Sequence, residues 1–388
     1  MILGFHYHIP FSSKNNQNFV PGHFGLFLQE LAKNVDELVL FLFYSDDFDS
    51  KYFDFHVSQP NIKIVQIGNN SPAYVKFFFA RIIVRKHKTE LKRCTKFLLR
   101  GPSPMCYAYS SYFYKKDICN LVVGDYLLSL KFLNQPFYRR LPVKALNYLM
   151  HYSYISSLKD TALAFNSEAL QIQYGSLASR TDLINTGNVR MSDITFTHRS
   201  NIISKPIVRL LYVGRIDWAK GFEEMLQMLS SINSKSLQRF ELDIVGWDES
   251  KNNHVLNSIK SRVSNLGLEE FVIFHGKKQP GKELYSFYTL ADIFLLPSYQ
   301  EGFPRTIWEA FANNLAVITT PVGSISMKIK NYTHALFCEV GNSESIEEKI
   351  LELINEPEIY QNLIRNGREL VLLNTIEEQT RRLVEFIN

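Results

Sequence analysis

Short apolar runs alternate with helical patterns through the second half of the chain. "VRLLYVGRI" (208–216), "FELDIVG" (240–246), "FVIFHG" (271–276), "DIFLLPS" (292–298) and "LAVITTP" (315–321) read as strands. Between them, "GFEEMLQMLSSI", "SKNNHVLNSIKSRVSNLG", "GKELYSFYTLA" and "RTIWEAFANN" are helix-like. Apolar runs separated by helical stretches indicate strands buried on both faces, so the alternation predicts parallel βαβ units. The first half repeats the pattern less clearly. Strands are expected there at 1–9, 37–44, 62–67, 95–99, 119–123 and 162–166, with a helix over 21–35. The polar stretch "MSDITFTHRSNIISKP" (191–206) has no periodicity and reads as an interdomain linker. A length of 388 residues exceeds one ordinary core. The expected fold class is therefore α/β, with two doubly wound domains, 1–200 and 201–388, facing each other across a cleft. The final helix is a candidate to pack back on the first domain.

Composition adds little to that picture: 46% apolar and 21% charged residues describe an ordinary folded protein. Cys94, Cys106, Cys119 and Cys338 form no Cys-x-x-Cys pair, so neither a zinc site nor a disulfide framework is expected, and a reducing cytosol fits. The start, "MILGFHYHIPF", has no basic region before an apolar core and reads as a first strand rather than a signal peptide. No run of 18 apolar residues exists to span a membrane as a helix.

Charge changes the picture more. Residues 1–200 carry 23 Lys and Arg against 14 Asp and Glu, a balance of +9, whereas the rest of the chain sums to −4. The stretch 74–100 holds nine basic residues and one acid, Glu90. On a helix, Arg81, Arg85, Lys88, Lys92 and Lys96 share a face beside Phe77, Phe78 and Ile82. A second basic-aromatic stretch follows at 136–155. Such faces suit an anionic membrane surface; a helix that buries its Phe and Ile and solvates its cations would read the same way. Nucleic acid is not an expected partner, because no reading module accompanies the patch.

Candidate chemistry collects in the second half, where ligands of an open parallel sheet sit beyond the strands' carboxyl ends. "GRIDWAKG" (214–221) places Arg215 and Lys220 between a strand and a helix, where two cations beside helix-start amides would hold a diphosphate; a solvated turn is the competing reading. In "HGKKQPG" (275–281), main-chain groups near Lys278 are placed to meet a base edge. In "LPSYQEGFPRTIWEAFANNLAVITTPVG" (296–323), Glu301 ends a strand and Glu309 lies about one turn into the following helix. Ionised carboxylates only accept hydrogen bonds, which suits hydroxyls of a sugar at Glu301 and a ribose diol at Glu309.

These three stretches, in this order and spacing, resemble the C-terminal domain of glycosyltransferase family 4, retaining sugar-nucleotide transferases of GT-B fold. The resemblance is strong over about 207–325. It implies that Arg215 and Lys220 bind the donor diphosphate, Glu301 the transferred sugar and Glu309 the ribose. Main-chain groups of Gly302, Phe303 and Thr306 would line sugar and phosphate. Pro304 replaces the commoner Gly and removes one amide donor. "VGSISM" (322–327) lacks the second glycine and the acid often found there.

The first half matches weakly. Gly22, in "VPGHFG", would be a glycine loop after the first strand that approaches the donor. Family members often place a histidine at the end of a first-domain strand, and "NLVVGDYLL" (120–128) puts Asp125 there. Asp125 then either stabilises charge at the anomeric carbon or simply makes a turn after Gly124. "DDFD" (46–49) resembles the Asp-x-Asp of metal-dependent transferases but reads as a solvated turn, and the resemblance implies no metal. No Gly-x-Gly-x-x-Gly follows a strand, which argues against a dehydrogenase.

The sequence is thus expected to encode a retaining glycosyltransferase. Its donor would be a nucleotide sugar, with UDP the expected carrier, and no further cofactor would be required. The acceptor would be lipid-linked or a polysaccharide, met in the cytoplasm at the inner face of the cell membrane. Two alternatives stand beside this reading: an epimerase or phosphorylase of the same fold, and a non-catalytic membrane-docking module.

Overall fold

The computed structural model describes residues 1–50, 52–127, 137–185, 187, 189–196, 199, 202–279 and 281–388, though not every side chain among them. The chain forms two compact units. The first joins Met1–Asn188 to Ile376–Asn388, and the second is Val189–Thr375.

The first unit contains β1 (Ile2–His6), α1 (Gly22–Ala32), β2 (Glu37–Tyr44), β3 (Ile62–Asn69), α2 (Ala73–Lys86), α3 (Lys88–Arg93), β4 (Lys96–Gly101), α4 (Cys106–Ser110), β5 (Ile118–Val122), α5 (Phe137–Leu158), β6 (Ala162–Phe165), α6 (Glu168–Tyr174) and β7 (Arg180–Leu183). These strands form one parallel sheet in the order β7-β6-β5-β4-β1-β2-β3. In β2 the side chains alternate between two cores: Leu38, Leu40 and Leu42 join one, and Val39, Phe41 and Phe43 the other. Both faces are covered, which is why the strand reads as an unbroken apolar run. β7, "RTDL", was not expected from the sequence: it is an edge strand, half in solvent, and has no apolar signal. A small antiparallel sheet of Ser12–Lys14, Gln17–Val20 and Phe55–His56 also escaped the pattern.

The second unit contains β8 (Ile207–Arg215), α7 (Phe222–Lys235), β9 (Arg239–Trp247), α8 (His254–Asn265), β10 (Val272–Gly276), α9 (Lys282–Leu290), β11 (Ile293–Leu296), α10 (Arg305–Ala312), β12 (Ala316–Thr319), α11 (Ile325–Lys328), β13 (Leu336–Phe337), α12 (Ser343–Asn355) and α13 (Pro357–Leu372). Its parallel sheet runs β10-β9-β8-β11-β12-β13. The last helix, α14 (Ile376–Ile387), belongs to the first unit. It sets Leu383, Val384 and Ile387 into the core that also holds Phe24, Phe27, Leu28 and Leu31 of α1.

Two expectations are corrected. The stretch 191–206 is not a free linker where it is described. Ile194 and Ile202 are buried in the second unit's core, and the Arg199 guanidinium donates to the carbonyls of Tyr288 (2.7 Å), Asn313 (2.8 Å) and Ala291. One arginine satisfying several distant carbonyls leaves no periodic trace. The basic face of 74–100 is also discontinuous. The helix breaks at His87, and Lys96 starts β4 with its ammonium on the Lys116 carbonyl at 3.2 Å. Phe77 is buried, whereas Phe78, Phe79 and Ile82 are exposed on α2.

Candidate functional site

In the second unit the strand order runs outward from β8 in both directions, so the switch point lies between β8 and β11. Open α/β sheets bind ligands outside the carboxyl ends of such a pair. Lys220 follows β8 and Glu301 follows β11, and the fold joins them: Lys220 Nζ lies 2.6 Å from Glu301 Oε1. Ser298 Oγ donates to the same oxygen at 2.8 Å. The two charged side chains are only 13% and 12% exposed, so water screens their attraction poorly. Glu301 Oε2 receives no hydrogen bond from the described residues and remains an open acceptor.

Glycines make this geometry possible. Gly221 sits at φ +78°, and a Cβ there would come within 2.3 Å of the Pro297 carbonyl oxygen. Only glycine lets the chain turn there while Lys220 points at the strand-end loop. Gly323, at φ +58°, would place a Cβ 1.9 Å from the Glu301 carbonyl oxygen. Beside it, the Ser324 amide donates to the Gly302 carbonyl at 2.9 Å, tying the 301–302 loop down.

α10 opens at Arg305 behind Pro304, which supplies no side-chain cap. The cap residue thus leaves the first turn without a side-chain acceptor of its own, and the Thr306 amide suits a phosphate oxygen. The Phe303 ring packs 4.9 Å from Trp308 and has the Lys328 ammonium 4.9 Å over it, so side-chain contacts hold this loop in place. Gly302 is exposed, and a Cβ there would meet nothing. Glu309 lies one turn into α10. Burial pushes its carboxyl pKa up, against the opposing pull of the Tyr288 hydroxyl, which donates to Oε2 at 2.7 Å, and of Arg305. Its other oxygen takes no hydrogen bond from described residues, so a diol would relieve the cost of burying it.

Arg215 is half exposed and bound to Glu249 at 3.0 Å, a contact that raises its already high pKa. It lies within electrostatic range of Glu301. Lys278 pairs with Glu283 at 3.3 Å and stands 5.7 Å from the Phe287 ring, and the adjacent Gln279 amide donates to the same carboxylate at 3.1 Å. Ser298, Tyr288 and Glu249 were not singled out in the sequence. Ser298 stands three residues before Glu301, but nothing local shows that its hydroxyl turns back.

In the first unit both expected residues are engaged internally. The Gly22 amide donates to Asp54 Oδ1 at 2.5 Å, so a carboxylate of the chain already occupies that helix start. Asp125, expected as a catalytic group, is bound on both oxygens by its own unit. Its side chain is 2% exposed. Oδ1 accepts from the Leu127 amide at 2.7 Å with His151 Nδ1 at 3.4 Å, and Oδ2 accepts from Tyr174 at 2.5 Å and Gln173 at 2.8 Å. Burial alone would raise its pKa, but the hydrogen bonds from Tyr174, Leu127 and Gln173 win and hold it below the usual carboxylate value. These contacts favour a fastening role for the carboxylate, which the Asp125→Asn variant tests below.

Two parallel-sheet units, one with paired charges at its switch point, define an α/β protein of the GT-B fold class. Over 99% of this chain and 98% of the other, the structure superposes on Anabaena HepE, solved in complex with UDP, with a TM-score of 0.67 at 16% identity. Residues 193–370 match the family described as glycosyl transferases group 1. The capsular polysaccharide biosynthesis glycosyltransferase CapM of Staphylococcus aureus is 31% identical over 160 residues, 41% of this chain and 40% of that protein. An N,N'-diacetylbacillosaminyl-diphospho-undecaprenol alpha-1,3-N-acetylgalactosaminyltransferase of Campylobacter jejuni is 30% identical over 175 residues, 45% of this chain and 42% of that protein. The chain thus spans about two fifths of the length of the curated relatives it matches.

Proposed function

We propose that the protein is a retaining glycosyltransferase of family 4 type. It takes a sugar from a nucleotide sugar, with UDP the favoured carrier, and adds it to a lipid-linked or polysaccharide acceptor in cell-surface glycan synthesis. The Lys220–Glu301–Ser298 cluster beside the uncapped start of α10 carries this reading. The likeness to transferases named for capsule and undecaprenol-linked glycans supports the acceptor class.

In the transfer, the bond from the anomeric carbon to the diphosphate oxygen breaks and a bond to the acceptor hydroxyl oxygen forms on the same face. The hydroxyl proton passes to the departing diphosphate. Lys220 and Arg215 neutralise the charge that grows on that leaving group, and first-turn amides of α10 share it. Lys220 and Ser298 hold Glu301 Oε1, which aims the open Oε2 at sugar hydroxyls. Glu309 accepts from the ribose diol. Incubation of the full chain with a panel of nucleotide sugars, with and without acceptor, tests the class: release of nucleoside diphosphate is expected, and epimerised donor without transfer would replace this reading.

The two carboxylates separate by ligand. Glu309→Gln is expected to weaken UDP itself about 10-fold or more, as one charge-assisted contact is lost. Glu301→Gln spares UDP and weakens only the intact sugar nucleotide. Calorimetry with UDP and with the turned-over donor reads both, and equal loss of UDP in the two variants would remove the division of roles.

The acceptor side of the proposal includes a membrane surface. α2 exposes Phe78, Phe79 and Ile82 beside Arg81 and Arg85, and no helix among the described residues is long and apolar enough to cross a membrane. Each basic residue near an anionic surface contributes about 1 kcal/mol. Changing Arg81, Arg85 and Lys88 to Glu should therefore weaken binding to anionic vesicles by at least about 150-fold. Salt should weaken the wild type. Co-sedimentation that is equal on neutral and anionic vesicles would count against the docking.

A further inference from the structure

The first unit has its own switch point, between β1 and β4, since its strand order also runs outward from β1. Basic side chains gather at the carboxyl ends of these two strands. Arg100 comes near the end of β4, His8 just after β1, and Lys76 from the first turn of α2. Lys76 and Arg100 are 6% and 7% exposed, an uncommon fate for cations.

Ring contacts link Arg100 to His8 through Tyr7, and Lys76 lies within electrostatic range of His8. The Arg100 guanidinium stands 4.8 Å over the Tyr7 ring and 5.1 Å over Phe27. Tyr7 lies 4.3 Å from the His8 ring. The Lys76 ammonium donates to Asn70 Oδ1 at 2.6 Å and stands 4.4 Å over Phe43. No carboxylate among the described residues pairs with Lys76, and burial lowers its pKa to about 8. His8 keeps an exposed surface, yet desolvation and the charges of Lys76 and Arg100 bring its pKa down to about 4. His6, beneath them, is spoken for: Nδ1 lies 2.8 Å from the Phe41 carbonyl, which can only accept, so Nε2 accepts from Ser103 Oγ at 3.0 Å.

A buried ammonium without a counter-ion costs stability, and such costs are concentrated where a ligand recovers them. We infer that this switch point holds a phosphate group, gripped by the Lys76 ammonium, the Arg100 guanidinium and the His8 imidazole. Phosphate is favoured over a carboxylate because two fixed cations match a dianion with several acceptor oxygens. One nitrogen of the His8 ring donates to the Pro102 carbonyl, and the other becomes a donor once the dianion's charge favours the protonated ring. If the transferase reading above is right, the phosphate belongs to the acceptor, a phosphorylated or diphospho-linked glycan. The binding site itself does not depend on that reading.

Calorimetry of the full chain with inorganic phosphate tests it, using wild type, Lys76→Met, His8→Gln and Lys220→Ala. Lys76→Met keeps the stem over Phe43 and should weaken phosphate about 10- to 150-fold. Its melting temperature without phosphate should be at or above the wild type's, because a buried charge is gone. Lys220→Ala removes the other unit's anion contact and should leave this binding in place. Acetate at equal concentration should bind far more weakly. Phosphate binding that survives both Lys76→Met and His8→Gln, or that vanishes in Lys220→Ala alone, overturns the inference. So does a Lys76→Met protein that melts lower yet still binds phosphate. If Lys76→Met does not fold, His8→Gln, at an exposed position, decides on the same criterion. Glucose 6-phosphate and micellar undecaprenyl phosphate separate a soluble from a lipid-linked source, and displacement by neither reduces the site to an adventitious ion. Phosphate binding without any transfer would sink the transferase reading alone, and transfer without phosphate binding would sink this inference alone.

Discussion

Lys220→Ala is expected to slow transfer about 10- to 150-fold in kcat/KM, equivalent to about 1.5–3 kcal/mol of lost charge-assisted contact. Two effects act together. The diphosphate loses a cation that neutralises it as it departs. Glu301 loses the partner 2.6 Å from Oε1 and keeps only Ser298, so the carboxylate no longer aims steadily at the sugar. The pair is only 13% and 12% exposed, which makes the second effect large enough to measure. The double variant with Glu301→Gln should therefore cost less than the sum of the single changes. Steady-state kinetics on the four proteins reads this directly. An unchanged kcat/KM in Lys220→Ala would remove Lys220 from the site, and strict additivity would make the ion pair incidental. Gly221 is the control on geometry, because its replacement by Ala forces a Cβ against the Pro297 carbonyl without touching any charge.

Asp125→Asn is expected to damage stability and spare turnover. The substitution keeps the shape but turns an amide NH2 toward groups that are themselves donors, including Tyr174 and Gln173. Leaving such buried donors unmatched costs about 1–3 kcal/mol. For a unit of this size, melting should fall about 2–4 °C per kcal/mol. The sign of the pH dependence follows from the depressed pKa of Asp125 in the fold. Its contribution is fully present above the unfolded carboxyl value of about 3.9 and is lost as pH falls through the lower folded value. Asn at this position should flatten that acid limb. Thermal melts between pH 2 and pH 6, with kcat on the surviving enzyme, test both halves. A large fall in kcat at unchanged melting temperature would return Asp125 to the chemistry and refute the structural role.

Much of the fold is legible along the chain because parallel strands covered on both faces must be apolar throughout. β2, β8, β11 and β12 are therefore visible as runs, and β8 through β12 appear in the expected order. β7 is not legible because an edge strand has no such demand. The candidate residues of the second unit are picked out for a related reason. They sit in short loops after those strands, where a charged residue beside a glycine stands out against its apolar flanks.

What the sequence determined by itself is local: the strand and helix runs, and which polar residues follow a strand's carboxyl end. What only the tertiary structure decided is which of these groups meet. Lys220 and Glu301 are 81 positions apart yet share one oxygen's surroundings. Asp125 is held by Gln173 and Tyr174, 48 and 49 positions away, partners that no local pattern announces. Residues 376–387 return to the first unit, and Lys76, His8 and Arg100 assemble at one switch point from three separate elements. The physical reason is the same in each case. Backbone periodicity and burial are written in neighbouring residues, whereas a carboxylate's role depends on which donors the fold brings to it, and those come from anywhere in the chain.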